Sequence, residues 1–207
     1  MRYSPRSEFS INGRKGVVIM RLPINEELWY SYPGMVAIVT ARYNGKQNIM
    51  ASGWHTYIGS SPGIYGISLR KETYTYQLIE QSGVFGVHFM PARCSEMIQA
   101  VGTFSGRDID KFDKFNIRYE EGLQADIPVL TEAYFAYECK TMNITTYGDH
   151  EWIAGEILQR YQDNDCFLEN GLPDFTKLEI PLYVGRSTYL TLNQNTEEKN
   201  HPLYLNK

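Results

Sequence analysis

The chain lacks the sequence signatures of several large enzyme classes. No G-x-G-x-x-G and no Walker A run occurs, which argues against a Rossmann dinucleotide turn and a P-loop. The one G-x-S-x-G match, Gly59-Ser60-Ser61-Pro62-Gly63, leads into the strand-like run Ile64 to Leu69 and not into a helix, so it is no nucleophile elbow and a hydrolase has little to stand on. The three cysteines, Cys94, Cys139 and Cys166, are odd in number, widely spaced and without a C-x-x-C pair. That excludes a disulfide framework and leads us to expect reduced thiols in a cytoplasmic protein. Four histidines (His55, His88, His150, His201) and these cysteines show no metal-ligand spacing, so no metal site is expected. No apolar stretch approaches the ~18 residues of a membrane span, and Met1-Arg2-Tyr3-Ser4-Pro5 has no apolar h-region, so neither a membrane nor a signal peptide is expected. No basic run survives inspection and the formal net charge is -4, which argues against nucleic acid as a partner.

What is present is an ordinary globular balance, 43% hydrophobic and 21% charged, with an unusual 16 tyrosines. Tyrosine suits half-buried strands and interfaces, where the ring is covered and the hydroxyl stays wet. Strand-like runs dominate. Met35 to Tyr43 closes at Asn44-Gly45, which predicts a hairpin onto Lys46 to Gly53. Ile64 to Leu69 reads as the next strand, followed by a helix running to about Ser82 and a strand over Val84 to Phe89. A second helix is expected over Cys94 to Val101, and two long strands over 133–147 and 150–162 around Gly148-Asp149. Short strands are expected over Val17 to Arg21 and Pro181 to Gly185, with a polar tail over 193–207. About seven strands, two or three helices and no regular strand–helix alternation predict a mainly β protein, an antiparallel barrel with peripheral helices. No linker or repeat divides the chain, so a single domain over 1–207 is expected, with its core over about 30–190.

The densest chemistry lies between Asn48 and Thr75. Asn48-Ile49-Met50-Ala51-Ser52-Gly53-Trp54 ends a strand at a glycine, and Ser68, Arg70, Thr73 and Thr75 surround a helix start that offers N–H groups and partial positive charge. Two readings fit these residues: a phosphate cradle without a glycine-rich loop, or a helix capped by Thr73 with Arg70 on a solvated surface. In Gly102 to Phe112, Asp108 and Asp110 begin like a calcium loop. Phe112 takes the third ligand position and no glutamate closes the motif, so a solvated turn with Arg107–Asp and Lys111–Asp pairs is expected instead. Gly148-Asp149-His150 forms a third constellation at a hairpin tip, where a histidine is either plain surface or part of a site. Cys139, mid-strand, reads as a packing residue rather than a nucleophile.

The order of these pieces is more specific than any one of them. Val36 to Ala41, Asn48 to Ser52, Ile67-Ser68-Leu69-Arg70 with Thr73-Tyr74-Thr75, Gly83 to Val87, Ser105-Gly106-Arg107-Asp108-Ile109-Asp110-Lys111-Phe112, Glu138-Cys139, and Gly148-Asp149-His150 with Gly155-Glu156 follow one another. Over roughly residues 30–160 this series resembles the flavin reductase-like, FMN-binding split-barrel family. His88 stands where the family often has asparagine, and Ser60-Ser61-Pro62-Gly63 carries one proline where members often have two. The resemblance implies an antiparallel split barrel, a homodimer, and one FMN per subunit, with FAD as an alternative. It implies NAD(P)H as transient reductant and a flavin or other small acceptor. It places Thr40, Asn48, Ile49, Met50, Ala51 and Ser52 along the ring and ribityl chain, Ser68, Arg70 and Thr75 at the phosphate, and His150 on the nicotinamide or acceptor side, with Trp54 and Thr73 also among the cofactor-binding residues. Hydride passage from nicotinamide to flavin needs positioning and electronic tuning rather than a protein acid or base, in keeping with the lack of a catalytic triad. The expected activity is an NAD(P)H-dependent flavin or acceptor reductase. A flavoredoxin-like electron carrier without nicotinamide activity is the alternative, and a ligand-binding barrel with a vestigial cradle is a third.

Overall fold

The computed structural model describes residues 33–199, together with the backbone of two short strands nearer the N-terminus. Those strands, β1 (Glu8–Ile11) and β2 (Arg14–Val17), pair antiparallel within a separate unit spanning Met1–Ser31. The strand expected over 17–21 falls mostly outside the described residues, as does the part of the tail beyond 199.

The second unit, Tyr32–Lys207, is built on seven antiparallel strands. They are β3 (Ala37–Tyr43), β4 (Lys46–Ser52), β5 (His55–Ser60), β6 (Gly63–Leu69), β7 (Val84–Phe89), β10 (Phe135–Tyr147) and β11 (His150–Gln162). Between β7 and β10 lie the short pair β8 (Tyr119–Glu121) and β9 (Pro128–Leu130), and β12 (Ile180–Gly185) with β13 (Thr188–Leu192) closes the chain as a hairpin. The order across the large sheet is β4-β3-β7-β10-β11-β6-β5. Consecutive strands β4 and β5 therefore occupy opposite edges. A flat sheet would hold these edges roughly 29 Å apart at ~4.8 Å per strand. Ser52 and His55 are three peptide links apart, a span of at most ~11 Å. The sheet must roll up, and it does: the expected antiparallel barrel forms, with β4 touching β6 across the seam.

The turn at Asn44-Gly45 has φ of 49° and 72°, the left-handed pair that a two-residue hairpin requires. Helix α1 (Tyr74–Ser82) is capped at one end by Thr73, whose hydroxyl accepts from Tyr76 N, and at the other by left-handed Gly83, whose N–H donates to Ile79 O at 2.8 Å. The inward residues of β3, Ala37, Val39 and Ala41, pack with Ile67, Ile79, Phe85, Val87 and Ile153. Their alternates pack outward: Ile38 and Ile49 meet Ile98 and Val101 of α2 (Ser95–Thr103). A third helix, α3 (Lys111–Lys114), is one turn capped by Asp110, which accepts from Phe112 N and Asp113 N. Among the described residues no helix is long and apolar enough to cross a membrane.

Candidate functional site

β4 touches β6 at the seam, and the loop leaving β6 turns into α1. Two groups of predicted residues meet there. In the first, Asn48 Nδ2 donates to Thr75 Oγ1 at 2.9 Å, both side chains buried. Thr75 thereby keeps its own hydroxyl proton to donate. Gly106 lies against the Asn48 amide so closely that a Cβ would collide with its oxygen. The loop carrying Gly106 is tied down by Arg107, whose guanidinium donates to Glu72 O at 2.8 Å and lies 5.6 Å from the Tyr74 ring centroid.

The second group gathers at the other end of the same loop. Glu151 of β11 pairs with Leu69 of β6, so Arg70 emerges from the end of this ladder beside the hairpin tip that carries Asp149 and His150. Arg70 reaches Asp149 Oδ2 at 3.0 Å, and His150 Nδ1 bonds Asp149 Oδ1 at 2.7 Å. The His150 bond, and then Arg70, hold the Asp149 carboxyl below the usual carboxylate range. The ring of His150 lies 4.7 Å from that of Trp54. The Trp54 carbonyl accepts from Ser68 N at 2.9 Å and Ser52 Oγ at 3.5 Å. Asn48, Ser52, Trp54, Ser68, Arg70, Thr75 and His150 are thus brought to one region.

Other predicted residues are placed elsewhere or are otherwise engaged. Thr40 pairs with Ile49 in the β3–β4 ladder, and Asn48 with Ala41. Side chains alternate along a strand, so Thr40, Ile49 and Ala51 face away from Asn48, Met50 and Ser52. Thr40 is fully buried and donates its hydroxyl to Pro128 O at 2.7 Å, and Ile49 packs into the core under α2. Met50 packs on the barrel interior. Ile49 and Ala51 can meet a ligand only through the main chain of β4, an edge strand. Thr73 donates its proton to Arg70 O at 2.8 Å, which serves the turn rather than a phosphate. The expected Arg107–Asp and Lys111–Asp pairs do not form. Arg107 binds as described, and Lys111 is buried, donating to Ile49 O at 2.8 Å and Val101 O at 2.7 Å. Desolvation lowers its amine to about 8.

Cys139 is fully buried and its thiol is pushed up to about 12, a packing residue as expected. His88 is also fully buried; Nδ1 bonds Ile38 O at 3.1 Å and Nε2 has no partner. Sequence reasoning left Asp149, Gly106 and Arg107 out of the site, although each lies in a run it had singled out.

The flavin reductase-like domain family matches residues 29–192, and the chain belongs to it. Among particular relatives, the uncharacterized protein YddH of Escherichia coli (strain K12) is 30% identical over 149 residues, 70% of this chain and 79% of that one. A ferric-chelate reductase (NAD(P)H) of Archaeoglobus fulgidus is 26% identical over 134 residues, 64% of this chain and 78% of that one. Of solved structures, the FMN-binding protein from Thermus thermophilus with bound 1-cyclohex-2-enone superposes with a TM-score of 0.76 at 26% identity, covering 87% of this chain and 98% of that one. Flavoredoxin of Desulfovibrio vulgaris (Miyazaki F) gives the same score and identity over 86% and 97%. A split-barrel domain from Shewanella frigidimarina NCIMB 400, 17% identical with a TM-score of 0.73 over 83% and 88%, shares the fold.

Proposed function

We propose that the chain is an FMN-binding oxidoreductase that takes hydride from NADH or NADPH and passes electrons to a small acceptor, such as free flavin or a ferric chelate. The observation that carries this reading is the pairing of Arg70 with Asp149 at 3.0 Å. A carboxylate already rests on Arg70, so the cradle accepts an oxyanion where the phosphate is expected. Arg70, Thr75 and Ser68 would hold that phosphate beside the N-terminus of α1, with FMN favoured and FAD an alternative. The edge of β4 from Asn48 to Ser52 would supply main-chain donors and acceptors to the ring, with Trp54 and His150 beside it. When bound, FMN supplies a ring system that takes up two electrons and releases them to an acceptor.

The protein's own contribution is positional. Asn48 and Gly106 fix Thr75 and the loop over it, and Ser68 and Ser52 fix the Trp54 carbonyl. Asp149 holds the Nδ1–H of His150, leaving Nε2 to meet the nicotinamide amide or the acceptor. The family match and the ferric-chelate reductase relative support this reading. We include a homodimer in the proposal, since Tyr57 and Ile58 stand about half exposed on edge strand β5 beside the site. A cytoplasmic setting suits its three free thiols.

The experiment is NADH and NADPH oxidation by purified protein with added FMN, in wild type and His150→Ala. Turnover is expected, and His150→Ala is expected to slow it more than it loosens FMN. No turnover with either nucleotide across several acceptors rejects the reading. The likeness to flavoredoxin favours a second one, an electron carrier. FMN retained through gel filtration and reduced only by a redox protein would establish it.

A further inference from the structure

Arg70 faces two carboxylates of its own chain, and they are not equivalent. Asp149 Oδ2 lies at 3.0 Å, whereas Glu72 approaches only to 3.7 Å. Asp149 is presented by the turn at Gly148, whose φ of 62° turns the β10–β11 hairpin back at its tip. Its second oxygen is engaged by His150 Nδ1 at 2.7 Å. The ladder that opposes Glu151 to Leu69 ends just before these residues, which leaves Arg70 at the hairpin tip, one residue from the position directly opposite Asp149.

We propose that Asp149 is a specificity-determining residue: its carboxylate competes with the ligand's phosphate for Arg70 and thereby sets how readily a phosphorylated flavin exchanges. The inference rests on the reading that Arg70 takes that phosphate. Both side chains of the pair are largely in water, at 55% and 69% exposure, so the contact is weak enough to yield. A buried pair would lock the cradle, since removing one partner strands a charge away from solvent. Release strands nothing here, because Asp149 keeps His150 as its partner when Arg70 turns to the phosphate. A dianionic phosphate outcompetes a single carboxylate at a guanidinium fork, yet it must displace that carboxylate first. Unphosphorylated riboflavin makes no demand on Arg70 and is indifferent to the exchange.

The test measures dissociation constants for FMN and riboflavin by flavin fluorescence in wild type, Asp149→Asn, Glu72→Gln, Arg70→Ala and the Arg70→Ala/Asp149→Asn double variant. Asp149→Asn is expected to tighten FMN by about two- to fivefold, the range of an exposed ion pair, and to leave riboflavin unchanged. Glu72→Gln should tighten FMN less, and the Asp149→Asn effect should vanish in the Arg70→Ala background. Unchanged or weaker FMN binding in Asp149→Asn overturns the competition, as does equal tightening of riboflavin or an equal effect of Glu72→Gln. Arg70→Ala alone separates this from the reading beneath it. Loss of FMN affinity with riboflavin unaffected upholds the phosphate role, and Asp149→Asn then judges the competition by itself. A parallel response of both flavins to Arg70→Ala removes the phosphate role, and the competition with it.

Discussion

A hydroxyl has one proton to give, and where that proton goes separates the threonines named from the sequence. Thr40 gives its proton to Pro128 O and Thr73 to Arg70 O, while Thr75 accepts from Asn48 and keeps its own. Sequence alone cannot make this distinction, because the Pro128 carbonyl is 88 residues from Thr40. His88 poses a similar question in a dry setting. Burial lowers its imidazole from 6.5 to about 4, so the folded protein holds it neutral. The unfolded chain therefore takes up the proton first as the pH falls, and stability is lost between pH 6.5 and about 4, by up to about 3 kcal/mol. His88→Asn should flatten this acid limb while remaining folded at neutral pH. Urea unfolding across that window checks it, and a variant as acid-sensitive as wild type would acquit His88.

Among the elements, the barrel strands with strong alternation or an Asn-Gly turn were legible: β3, β4, β6, β7, β10 and β11 lie where the pattern put them, as do α1 and α2. β5 was not, because it is an edge strand with one face to solvent, and His55 to Ser60 shows no clean apolar period. β13 escaped for the same reason. The site was legible as a region but not by side chain. A contiguous window from Asn48 to Ser52 reads as one surface, yet the pleat sends alternate residues to opposite faces. Lys111 was misread because charge pattern cannot show that a lysine is drawn under a strand. Its ammonium fastens β4 to the end of α2 through two carbonyls. The folded amine titrates near 8 against 10.5 in the unfolded chain, so the unfolded state binds more protons between these values. Burial of the charge weakens the fold below that window, and the penalty lifts as the pH rises through it. Relative to Lys111→Met, wild-type stability should rise by about 2 kcal/mol from about pH 7 to about pH 9.5. Denaturant melts of both proteins measure the difference, and parallel pH profiles would refute it.

For the molecule as a whole, the exposed apolar side chains on β5 bear on assembly. Tyr57 and Ile58 lie on a strand that has no further neighbour in the large sheet among the described residues. Such an edge invites pairing unless something covers it. A dimer of twice the 23.9 kDa protomer mass is expected in sedimentation velocity, and Ile58→Glu should shift it to monomer without unfolding it. A wild-type monomer at micromolar concentration would dismiss the assembly.

The link Gly53-Trp54, which joins the two edges of the rolled sheet, also carries the carbonyl fixed by Ser68. Extra length is tolerated in most surface loops at small entropic expense. At this link it would let the cylinder gape and carry the tryptophan away from the imidazole beside it. Grafting a longer connection from a relative would therefore be felt twice, in the melting temperature and in ligand capture.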